Sequence, residues 1–69
     1  MNLSKFKAYR KTGLQLMRPY EAGEDMLGIS VSNTDVPEIG GMIAVDPSNT
    51  EDIWYVAKEF FNTNYELVI

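Results

Sequence analysis

Neither cysteine nor histidine occurs in this chain, and at 69 residues that absence sets the terms on which it folds. A chain this short withdraws only about 60 % of its unfolded surface from water, so its core is thin. Small domains ordinarily make up the deficit with disulfides, a metal or association. Without cysteine there is no disulfide and no thiolate-held zinc or iron–sulfur cluster. Without histidine the commonest transition-metal ligand is missing, and so is the commonest general base. Association is the staple that remains, so a homo-oligomer is one expectation. Length alone bounds the chain to a single small domain over residues 1–69.

Alternation and turn chemistry supply the elements. Lys5-Phe6-Lys7-Ala8-Tyr9 alternates charged with apolar residues, the period of a half-buried strand. Thr12-Gly13 interrupts it as a bulge or a turn, and Leu14-Gln15-Leu16-Met17 resumes with both leucines on one face. Pro19 and Gly23 mark the next stretch as a loop, and Ile29-Ser30-Val31-Ser32 alternates again as a short strand. Met42-Ile43-Ala44-Val45 is an apolar run bounded by Gly40-Gly41 and Asp46-Pro47, the pattern of a buried strand.

The next segment carries two signals. Ser48 with Glu51 three residues on has the spacing of a capping box, which would open a helix over residues 51–62. Ile53-Trp54-Tyr55-Val56, four β-branched or aromatic residues in a row, favours a strand instead. The balance predicts a hairpin of residues 42–45 with 53–56. A helix of at most about three turns then comes near residues 57–64, with Ala57, Phe60 and Phe61 on one face. Tyr65, Leu67 and Ile69 align on a closing strand. The expected class is α+β: a small, mostly antiparallel twisted sheet with one short helix near the C-terminus.

Charge is unevenly placed. Lys5, Lys7, Arg10, Lys11 and Arg18 stand in the first eighteen residues without an acid, and beyond them ten acids against the single Lys58 leave −9. The basic segment is too apolar and aromatic for a disordered tail. Arg10, Lys11 and Arg18, flanked by Tyr9 and Tyr20, are therefore the expected partner-facing patch, able to grip carboxylates or phosphates. The alternative is internal pairing of Arg10 and Arg18 with Glu21, Glu24 or Glu66. Trp54 is the other candidate contact. On an alternating strand Trp54 and Tyr55 face opposite ways, so one leaves the core unless both sheet faces are covered.

Composition argues against several chemistries. Only carboxylates offer metal ligation, and Glu21-Ala22-Gly23-Glu24-Asp25 lacks the alternate-position spacing of a calcium loop. Serine and threonine have no histidine to activate them, and so short a chain hardly encloses a substrate. No enzyme activity and no cofactor are expected. A net charge of −4 opposes nucleic-acid binding, which rests mostly on phosphate neutralisation. No leader peptide and no membrane span is read in the chain, so a cytoplasmic location is expected.

Three segments resemble a group of short accessory proteins encoded by tailed bacteriophages. Tyr9-Arg10-Lys11-Thr12 is similar to their Tyr-Arg-Lys opening strand. Gly41-Met42-Ile43-Ala44 stands where they carry a Gly-Asp-(Trp/Tyr)-Ile strand, with Gly40-Gly41 in place of the Gly-Asp pair. Phe60-Phe61-Asn62-Thr63-Asn64-Tyr65-Glu66 resembles their closing Phe…Tyr-Glu strand. The resemblance implies a phage origin and the hairpin rather than the long helix; by analogy with small phage proteins of this size, a host or phage protein is the expected partner, as for an inhibitor or counter-defence factor. An oligomeric binder of a small anionic ligand such as a signalling nucleotide is the alternative, with Arg10, Lys11 and Arg18 on phosphates and Tyr9 or Tyr20 on the base.

Overall fold

Strands form where the alternation predicts them except at residues 29–32, and a computed structural model describes the chain over residues 3–11 and 13–68. The elements are β1 (Lys7–Arg10), β2 (Leu14–Pro19), β3 (Met42–Asp46), β4 (Asn49–Val56), α1 (Lys58–Asn64) and β5 (Glu66–Leu67). They make one α+β domain, a five-stranded sheet of order β4-β3-β2-β1-β5 in which every neighbouring pair is antiparallel. Thr12 of the first turn and Ile69 of the expected last strand lie outside the described residues. Among the described residues no helix is long and apolar enough to cross a membrane.

Register divides the side chains into two layers. Leu16, Val45 and Ile53 lie in one cross-strand row, with Ile43 and Tyr55 in the next row of the same face. Phe6 joins them, and the loop of residues 20–41 covers this layer with Tyr20, Met26, Ile29 and Val31. On the opposite face Met17, Ala44 and Trp54 form a row beside Met42 and Val56, and α1 covers it through Phe61, with Tyr65 alongside. Met17, Ile43, Ala44 and Val45 are wholly removed from water. A sheet packed on both faces explains why β3 reads as an unbroken apolar run.

The hairpin prevails over the helix because Asp46 organises the turn. Its carboxylate accepts hydrogen bonds from the Ser48 amide and the Ser48 hydroxyl, both at 2.9 Å. Ser48 is thereby a turn residue instead of a helix cap, and a register shift at Val45/Asp46 lets β4 begin at Asn49. The segment of residues 29–32 forms a single bridge in place of a strand. Ser30 donates to the Ile53 carbonyl (2.9 Å) and accepts from the Tyr55 amide (2.8 Å), lying parallel along the outer edge of β4.

α1 is only seven residues long, and its N-cap residue Ala57 makes no side-chain cap. A helix this short is held by packing, since its own nucleation is costly. It carries the chain from β4 at one edge to β5 at the other. The expected apolar face splits in three. Phe61 packs on the sheet, Ala57 meets the loop-covered layer, and Phe60 stays 47 % exposed.

Candidate functional site

The six residues expected at a contact surface do not converge. Arg10 and Arg18 rise from the loop-covered face, while Tyr9 and Trp54 belong to the helix-covered one. Arg18 forks onto Glu24, Nη1 to Oε2 at 2.9 Å and Nη2 to Oε1 at 2.5 Å, with both side chains about 15 % exposed. Its guanidinium also lies 5.7 Å from the centre of the Phe6 ring. The hydrogen bond from Arg18 holds the Glu24 carboxyl below its ordinary range, and that same bond raises Arg18. Glu24 in turn accepts the Glu21 amide at 2.7 Å, so the pair anchors the start of the covering loop. Arg10 donates to Glu66 at 3.3 Å across β1 and β5, an exposed pair worth about 0–1 kcal/mol. The internal pairing weighed against the basic patch is therefore the arrangement found for both arginines.

The aromatic candidates are also placed. Tyr9 meets Phe61 edge-on at 5.2 Å, and Tyr20 meets Tyr55 edge-on at 6.0 Å. Lys11 sets its ammonium 4.9 Å from the centre of the Phe60 ring. Trp54 is only half-buried, with an open gap beside it.

That gap is an open cleft of about 280 Å³, lined by Trp54, Tyr55, Val56, Ala57, Phe60 and Tyr65, with Asp35 at its wall. Three elements build it. β4 presents Trp54 and Val56 on the helix side, since alternation sends Ile53 and Tyr55 the other way. α1 and its C-cap supply Phe60 and Tyr65, whose rings are 6.2 Å apart and tilted by 54°. Asp35 arrives from the covering loop, fixed by its amide on the Ser32 carbonyl at 3.0 Å.

Compared with protein-family models, curated proteins and solved structures, the chain matches none. The cleft's chemistry is thus read from its own residues. Phe60, Tyr65 and Asp35 were not among the residues singled out by sequence. The adjacency of Phe60 and Phe61 is the signal that could have found the first, since neighbouring helical residues point about 100° apart and cannot both face one sheet. Asp35 carries no such signal, because Asn33-Thr34-Asp35 reads simply as a turn.

Proposed function

We propose that this chain is a small accessory protein, of the kind the phage resemblance implies, which binds and modulates a host or phage protein through the Trp54 cleft. The observation that supports this reading is an open cleft lined by Trp54, Tyr55, Phe60 and Tyr65, beside a sheet that is packed on both faces. Tryptophan and tyrosine dominate the energetics of protein contacts, where they fill or line pockets at the centre of an interface. The cleft is at or below the roughly 300–1,000 Å³ range of drug-sized ligand sites. It suits one side chain of a polypeptide better than a nucleotide, and Asp35 opposes a phosphate.

Tagged protein recovered from phage-infected cells and weighed by native mass spectrometry tests the reading. A polypeptide should accompany the wild type and fall at least about tenfold with Phe60→Ala, a change at an exposed ring that leaves the melting temperature nearly unmoved. A co-purifying nucleotide, or a polypeptide retained undiminished by Phe60→Ala, would overturn it.

A further inference from the structure

A carboxylate and aromatic rings lining one cleft favour a cation that can meet both. Asp35 is half-buried, and among the described residues no donor meets its side chain; its one hydrogen bond is made by the backbone amide. Trp54, Phe60 and Tyr65 line the same cleft, and the face of an aromatic ring carries negative potential. Phe60 already draws Lys11 to its ring from the β1–β2 turn. The covering loop and β4 carry acids and no lysine or arginine, and α1 balances Lys58 with Glu59.

Resting on the reading of this cleft as the partner site, we infer that its occupant is the guanidinium of an arginine projecting from the partner protein. Two properties select arginine. The group is flat, so it stacks against an aromatic ring. It also presents a fork of donors that matches both oxygens of a carboxylate, which a lysine ammonium does not. The volume of about 280 Å³ accommodates one such side chain. Binding then pairs Asp35 and covers Trp54 in a single step.

Trp54 is the only tryptophan, so its indole N–H resonance reports the cleft alone. The probes are acetyl-Gly-Arg-Gly-amide and the same peptide with citrulline, a neutral near-isostere of arginine. The arginine peptide should shift the indole resonance, with the citrulline peptide about tenfold weaker. Asp35→Asn keeps the backbone bond to Ser32 and should abolish that preference. Equal binding of the two peptides, or a preference that survives Asp35→Asn, would overturn the arginine assignment while leaving the cleft as a contact site. No shift with either peptide at millimolar concentration would also overturn it. A shift driven by protein concentration alone, and stopped by Arg10→Gln, would replace the partner's arginine with that of a second copy.

Discussion

At the scale of single residues, two positions decide how the covering loop sits on the sheet. Gly41 is the first. A Cβ there would run into the Tyr55 ring, whose hydroxyl oxygen accepts the Glu38 amide at 3.2 Å. The ring is held by that bond and by Tyr20, so it has little room to yield. Gly41→Ala should therefore cost about 1–3 kcal/mol in urea denaturation, the usual penalty of overpacking. A loss below about 0.5 kcal/mol would show that the ring moves aside freely. Arg18 with Glu24 is the second. Glu24 has a folded pKa below its unfolded value, because Arg18 and then the Glu21 amide favour the charged form over the opposing cost of burial. Its stabilising contribution is full above the ordinary glutamate range near 4.5 and is lost as pH falls through the folded value. Asp46, lowered by the Ser48 amide and hydroxyl, acts in the same direction. Arg18→Gln should cost about 1–3 kcal/mol at neutral pH. It should also flatten the decline of melting temperature on the acid side of pH 5. An equally steep acid limb in the variant would show that other carboxylates set it.

Among the elements, strands were legible where one local signal outweighed the rest. Ile53-Trp54-Tyr55-Val56 prevailed over the Ser48–Glu51 spacing because Asp46 claimed Ser48 for a turn, a contact two residues back that propensity does not see. The α+β class and the short C-terminal helix come directly from such signals. Sheet order does not. Nothing local states that β2 pairs with β3 across a loop of twenty-two residues, or that residues 29–32 lie along β4. The cleft was legible only in part, through Trp54, since its other walls come from that loop, from α1 and from Tyr65 beyond it. The edges matter for association. β5 is two residues long, and Ser30 occupies the outer edge of β4 at Ile53 and Tyr55. Edge pairing, the association that composition favours, has only residues 49–52 to use, and Glu51 and Asp52 charge them. Sedimentation at tens of micromolar should give the 7.8 kDa species. A dimer abolished by proline at Glu51 would show that this stretch pairs despite its charge.

For the whole molecule, the missing staples are offset by packing both faces of one sheet, which gives a short chain two thin cores where one would not suffice. The order in which those cores can close is constrained. β1–β2 and β3–β4 are hairpins between near neighbours in sequence, and such contacts form quickly. β5 meets β1 only across nearly the full chain, with Arg10 and Glu66 fifty-six residues apart. Loop closure of that length returns its entropy late, and a two-residue strand with a seven-residue helix offers little to hold it. The stretch from Lys58 to Leu67 is therefore the natural unit to open first and re-form last. Phe60 and Tyr65 belong to that unit, so the cleft exists only while the unit is docked. Whatever fills the cleft draws on the free energy of this local ordering, and its affinity is tied to the weakest hinge of the fold instead of to its rigid centre.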